Sequence, residues 1–287
     1  MKSIDRRKFL VQGGMGLGAA ILATQLPNEL FAAFDSGLIK RPFGFQSYPI
    51  RDRLSKDFAG TLKLMAGMGY QEVEMCSPSG YSTIGFAAIA KLKTAEVKTI
   101  ITDAGLSCKS CHFVFGELTN KLDDTIAFSQ ELGLTNIICS TFWLPKTATL
   151  DDYKKAADKL NVAAEKIKKA GMQAGFHNHD FEFKMLEGEL IYDVLMNRLD
   201  PSLVKMQFQT EVINYGYKAA TYFEKYPGRF ISAHLSDWTA EKKQVPIGKG
   251  VIDWKEFFKA AKTGGIETCY VEMDYETYEE SAKFLKA

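Results

Sequence analysis

The sequence is short of several features that would classify its chemistry at once. It has only four histidines, His112, His177, His179 and His234, and no apolar run long enough for a confident membrane span. Its five cysteines contain one Cys-x-x-Cys spacing, Cys108 and Cys111, with no second pair to complete a zinc site. The two lie in an expected strand, where residues three apart stand about 10 Å from each other on opposite faces, beyond disulfide reach. Buried core thiols are therefore expected. An excess of one charge is also missing: 36 lysines and arginines face 35 aspartates and glutamates, a formal net charge of +1, which offers no electrostatic surface for nucleic acid. Nor does a glycine-rich phosphate loop follow the first strand, where Ser47-Tyr48-Pro49-Ile50-Arg51 argues against a doubly wound dinucleotide fold. The turn Gly248-Lys249-Gly250 is too short to imply phosphate binding.

What is present starts at the N-terminus. Ser3-Ile4-Asp5-Arg6-Arg7-Lys8-Phe9-Leu10 precedes an apolar, glycine-rich stretch from Val11 to Leu26, and small residues follow near Phe31-Ala32-Ala33. A cationic head, a short apolar centre and a small-residue exit are the parts of a secretory signal, and paired arginines before Phe-Leu resemble the twin-arginine type. The expected organisation is an export signal over residues 1–33 and one domain over residues 34–287, with periplasmic or otherwise exported delivery. Removal takes Lys2, Arg6, Arg7 and Lys8 together with Asp5 and Glu29, so the formal charge falls from +1 to −1. No membrane span is expected to survive processing.

From residue 43 onward, short strand-like runs alternate with longer helical stretches. The strands read at 43–48, 72–76, 107–113, 136–140, 173–179, 204–209, 230–234 and 269–272, eight in all. Between them lie helical patterns such as 152–170, with Ala156, Leu160, Ala163, Ala164 and Ile167 on one stripe and lysines opposite. Gly69, Gly105, Gly133, Gly171 and Gly265 each fall between a helix and the next strand, the position that favours a left-handed backbone. Eight such units of similar length, with no linker or repeat between them, predict an α/β (β/α)8 TIM barrel.

In a barrel, side chains alternate between lumen and helix-facing side, and chemistry collects at the C-terminal strand ends. If Val73 and Met75 face outward, Glu72 and Glu74 face in; Gln207 and Gln209 follow the same rule, as does Glu272. All four histidines fall at or near such ends. The spacing His177-Asn178-His179 puts two imidazoles on one side of a strand, as a pair of ligands or a proton-transfer pair. His177, His179, His234 and Glu272 are expected to share a site, with His177, His179 and Glu272 as its catalytic groups. Gln46, Glu74, His112 and Asp237 are assigned to substrate, while Asp180, Glu182 and Asp274 are read as loop residues at the mouth.

Several segments carry a resemblance: Gly69-Tyr70-Gln71-Glu72-Val73-Glu74, Gly175-Phe176-His177-Asn178-His179-Asp180-Phe181-Glu182-Phe183, Lys225-Tyr226-Pro227-Gly228-Arg229-Phe230, His234-Leu235-Ser236-Asp237, and Val245 to Trp254. In this order they resemble the xylose isomerase-like sugar phosphate isomerase/epimerase family over nearly everything after the signal. Many members hold one divalent metal between strands five and eight. The resemblance implies His177, Gln209, His234 and Glu272 as the ligands here. Two positions depart from the family pattern, since strand five commonly offers Glu and strand six Asp. Losing two carboxylates weakens a hard ion such as Mg2+ more than imidazole-tolerant Mn2+ or Zn2+. Epimerising relatives use two glutamates around the sugar, so here His177 or His179 would supply the base opposite Glu272.

The leading expectation is an exported enzyme that isomerises or epimerises a small carbohydrate by abstracting a proton beside a carbonyl, with a divalent metal. A lyase or dehydratase acting on keto-glycosides or cyclitols is the alternative within catalysis. A non-catalytic sugar-binding barrel with a degenerate metal site is the alternative outside it. A histidine base predicts activity that falls as pH drops through the ordinary imidazole range. The signal makes a separate prediction: replacing Arg6 and Arg7 together by Lys should retain the protein in the cytoplasm. Fractionation that still finds the double variant in the periplasm would refute the twin-arginine assignment.

Overall fold

The computed structural model describes residues 42–287; the expected signal over residues 1–33 lies outside them. Eight strands, β1 (Phe43–Gln46), β2 (Glu72–Cys76), β3 (Ser110–Phe113), β4 (Asn136–Cys139), β5 (Gln173–His177), β6 (Val204–Gln209), β7 (Phe230–Leu235) and β8 (Thr268–Val271), form a closed barrel. Every neighbouring pair is parallel, and β1 closes the ring by pairing with both β2 and β8. A helix returns the chain after each strand: α1 (Phe58–Met68), α2 (Thr94–Asp103), α3 (Leu122–Leu132), α4 (Leu150–Lys169), α5 (Ile191–Arg198), α6 (Ala219–Lys225), α7 (Trp254–Gly264) and α8 (Tyr278–Lys286). The architecture is the expected (β/α)8 barrel. No helix among the described residues is long and apolar enough to cross a membrane.

Local sequence accounts for the helices. α4 starts at Thr149, whose hydroxyl accepts from Asp152 N while the Asp152 carboxylate accepts from Thr149 N, and it buries the alanine-rich stripe read from the sequence. Gly69, Gly133 and Gly265 end α1, α3 and α7 in left-handed backbone.

Strand ends differ from expectation where polar groups pull the backbone out of the ladder. Ser107 makes only an isolated bridge to Glu72, and the Lys109 carbonyl takes both Thr135 N and Asn136 N, so β3 begins at Ser110. β5 stops at His177 because Asn178 Oδ1 accepts from Gln209 N and His179 N turns to the Glu182 carboxylate. Cys108 and Cys111 are buried free thiols, and burial pushes the Cys108 thiol up to about 12.

The outward faces of the strands build the apolar layer under the helices, with Phe45, Val73, Met75, Phe176, Met206, Phe208 and Val271 fully buried. The lumen is polar: Gln46, Glu74, Ser110, Gln207, Ser232 and His234 are equally buried. A register shift between Met206 and Gln207 sets Gln207 opposite Ser232 and Gln209 opposite His234.

Gly44 shows how tightly the barrel floor is filled. A Cβ there would stand 2.6 Å from both the Glu72 carbonyl oxygen and the Tyr270 ring. Gly44→Ala should therefore destabilise the protein by about 1–3 kcal/mol. Gly67→Ala, with nothing within 4 Å of the new Cβ on an exposed helical position, should stabilise it by about 0.5–1 kcal/mol. Urea unfolding of both variants checks the pair; equal effects would mean that the floor is not close-packed.

Candidate active site at the C-terminal mouth

The site grows from Glu74, fully buried on β2 and aimed into the lumen. Its Oε1 accepts from Ser110 Oγ at 2.5 Å and from Gln207 Nε2 at 2.7 Å; its Oε2 accepts from Gln46 Nε2 at 2.7 Å and from His234 Nε2 at 2.5 Å. Burial alone would raise this carboxyl, but His112 and His234 overcome it and bring it down to about 2. The other nitrogen of His234, Nδ1, lies 2.8 Å from Glu272 Oε2. An ionised carboxylate only accepts hydrogen bonds, so both nitrogens of His234 carry hydrogen and the ring is an imidazolium. Although burial opposes that charge, Glu272 and Glu74 raise His234 to about 10.

Above this clamp, Gln209 donates Nε2–H to Glu272 Oε2 at 2.5 Å and accepts from Glu211 N through Oε1. The position that the resemblance marks as a metal ligand thus spends its amide on the carboxylate beside it. His112 Nε2 meets Gln207 Oε1 at 2.5 Å and lies 3.3 Å from Glu74 Oε2. Because Gln207 donates its amide to Glu74 and Ser232, its oxygen faces His112, which donates. Burial and the positive His234 hold His112 below the ordinary imidazole range, against the pull of Glu74.

The expected cluster forms. The His177 ring lies 4.4 Å from His234, 4.8 Å from His112 and 4.8 Å from His179. His177 is buried, and no hydrogen-bond partner reaches its Nδ1 or that of His179. Burial first, then the charge of His234, lowers His177 well below the usual range, and burial brings His179 down to about 4. Both rings are thus neutral near pH 7. Ligand atoms of His112, His177 and His234 lie within 4.8 Å of one another.

Asp237, assigned to substrate, and Glu182, read as a loop residue at the mouth, both find their partners within the protein. Asp237 is fully buried, and its oxygens accept from Trp238 N, Gly248 N, Gly250 N, Ile252 N and Trp254 Nε1, so it holds the loop after β7. Glu182 is a correction: it lies inside the protein, accepting from His179 N at 2.8 Å and from Thr141 Oγ1 at 3.3 Å, and burial pushes its carboxyl up to about 8. Sequence reasoning missed its role as the anchor of the His179 segment. The three-residue spacing from His179, which matches a turn closed by side chain to backbone, was the signal available.

A closed parallel barrel with its polar groups gathered at the C-terminal ends of β2, β3, β5, β6, β7 and β8 defines the class of protein. Residues 62–287 match the family described as xylose isomerase-like TIM barrel, and the chain belongs to that family. Two structures of sugar phosphate isomerase/epimerase from Parabacteroides distasonis are similar, each at 25% identity over 85% of this chain. They are covered to 93% and 95%, with TM-scores of 0.74 and 0.69. The IOLI protein with a bound zinc atom shares the fold at 13% identity, covering 85% of this chain and 95% of its own, with a TM-score of 0.64. No curated protein matches the sequence significantly.

The clamp makes stability depend on pH. His234 is raised from 6.5 to about 10, so its stabilisation is whole below 6.5 and is lost as pH rises towards 10. Glu74 is lowered from 4.5 to about 2, so its share is whole above 4.5 and is lost as pH falls towards 2. The metal-free protein should be most stable between these limits. His234→Ala should cost about 3–5 kcal/mol there and flatten both limbs, because it removes the cation between Glu74 and Glu272. Denaturation midpoints across pH that are unchanged by the substitution would contradict the clamp.

Proposed function

We propose that the protein is a carbohydrate isomerase or epimerase that moves a proton at a carbon beside a carbonyl. The observation that carries this reading is a pair of neutral imidazoles, buried His177 and half-buried His179, each with an unpartnered Nδ1, set near a carboxylate at the barrel mouth. Proton abstraction needs an unprotonated base within reach of the carbon acid, and a neutral imidazole is one. His179 is the base, being nearer the opening, while His177 orients the sugar. Glu272, open to solvent over 18% of its side chain, faces the substrate from β8 and is kept ionised by His234 despite burial. Gln46 and Glu74 close the floor. The similarity to the two Parabacteroides distasonis isomerase/epimerase structures supports a sugar substrate.

The donor set also suits a divalent ion of the kind that tolerates imidazole, Zn2+ or Mn2+ before Mg2+. His177, His234 and Glu272 would hold it, with His112 serving where Gln209 is engaged by Glu272. When bound, such an ion polarises a substrate oxygen and eases loss of the neighbouring proton. The unlike pair of His179 and Glu272 favours a second reading, elimination from a keto-glycoside, in which one group takes the proton and the other serves the leaving group. Residues 1–33 extend the proposal to an exported enzyme.

Incubation with sugars and 3-keto-glycosides in deuterated water, with and without EDTA, tests the proposal. Deuterium entering the carbon beside the carbonyl supports it, and the products distinguish epimerase from lyase; no exchange by any substrate would sink it. His179→Ala should lower exchange by about 10²- to 10⁴-fold while the barrel stays folded. Because burial holds His179 near 4, the acid limb of activity should lie close to that value, lower than an ordinary imidazole would give. Metal affinity carries its own readout. His234 must release a proton to become a ligand, so Zn2+ binding measured by calorimetry should strengthen as pH rises. His112→Ala should weaken it more than Gln209→Ala, and the reverse order would reject His112 as a ligand.

A further inference from the structure

The rim of the mouth carries aromatic surface that proton transfer does not use. Trp143, four residues past the end of β4, is 64% exposed and has a φ of +51°. Bulky side chains seldom adopt that left-handed backbone, and such strain collects where function holds it. Three non-glycine residues among those described share a positive φ, namely Trp143, Glu187 and Lys242, and only Trp143 is apolar. Its indole centroid stands 6.4 Å from the His179 ring, and His179 in turn lies parallel to Phe181 at 5.1 Å and 6°. Farther round the rim, Tyr215, just after β6, is 49% exposed beneath the Lys242 ammonium at 5.4 Å.

We propose that Trp143 is a stacking platform for a second sugar ring, so that the enzyme takes a glycoside rather than a free monosaccharide. The inference rests on the reading that the reacting sugar sits between His179 and Glu272. A ring held there leaves its glycosidic neighbour outside the lumen, along the wall made by the segments that follow β4 and β5. The indole stands on that wall. Its face is electron-rich and apolar, which matches the C–H face of a pyranose, while the ring hydroxyls stay in water at the edges. A lone exposed aromatic needs no explanation in general. This one combines exposure, backbone strain and direct adjacency to the proposed base. Remote binding of this kind also serves the chemistry, because it fixes the reacting carbon against His179.

The test compares deuterium exchange into 3-ketoglucose and 3-ketocellobiose by the full chain, Trp143→Ala and Trp143→Gly. The glycine variant removes the ring and the backbone strain together, so it folds if the site does. The platform predicts that wild type has the higher kcat/KM on the disaccharide. Both variants should lose about tenfold on it, mostly in KM, while the monosaccharide changes by less than about twofold. Equal losses on the two substrates, or none, overturn the platform while leaving the proton-transfer reading intact. If wild type exchanges neither substrate, that reading fails on its own, and calorimetry with glucose and cellobiose decides the platform. Tighter cellobiose binding that disappears in Trp143→Gly supports it; cellobiose binding no tighter than glucose, or unchanged in Trp143→Gly, overturns it.

Discussion

The imidazolium of His234, held between Glu74 and Glu272, is the interaction on which the rest of the lumen depends. Two carboxylates so close together, one buried and one half-buried, would repel each other and draw protons or water into the barrel. With a cation between them, each stays ionised, and each then organises its own half. Glu74 gathers Gln46, Ser110 and Gln207 into a fully hydrogen-bonded floor. Glu272 fixes Gln209 and keeps 18% of its side chain open to solvent. The same cation also lowers the proton affinity of His177, so one charged histidine helps to keep a neighbouring one neutral.

A lumen built this way divides its work by depth. The deep layer, from Gln46 and Glu74 to Gln207, is saturated with hydrogen bonds. The upper layer keeps unpartnered nitrogens on His177 and His179 and an amide on Asn178 with no acceptor. Unmet buried polar atoms are costly where nothing binds, and three of them fall on consecutive residues at the end of β5, while Tyr192 and Arg229 carry others elsewhere. Gln209 shapes the balance. An amide where the resemblance implies a carboxylate keeps negative charge down and ties Glu272 in place.

Much of the barrel was legible because it obeys short-range rules. The alternation through Glu72–Cys76 and Val204–Gln209 assigns lumen and core faces residue by residue, and glycines mark the returns from helix to strand. The histidines announced themselves by falling at strand ends. The partners were not legible. His234 and Glu74 are 160 residues apart, and Gln207 and Glu74 are 133 apart, so nothing local states that they meet. The ends of β3 and β5 were misplaced for a related reason: Lys109 and Asn178 divert the ladder through bonds to neighbouring strands. Glu182 looked like a solvent-facing loop acid because charge in a polar motif usually is, and only the fold reveals the cavity that takes it in.

Asp237 has a consequence for how this surface can change. One buried carboxylate fastens the backbone at Gly248, Gly250 and Ile252 and the indole of Trp254, so the base of the loop after β7 is pinned at the strand end. The loop's outer part is a short hairpin: Asp237–Trp238 pairs with Gln244–Val245, Thr239 and Lys243 close a small turn between them, and Lys242 reaches over Tyr215. Residues 240 and 241, at the exposed turn, take no part in the Asp237 network. That makes the tip a place where evolution or an engineer can graft new segments over the entrance without disturbing the charges beneath.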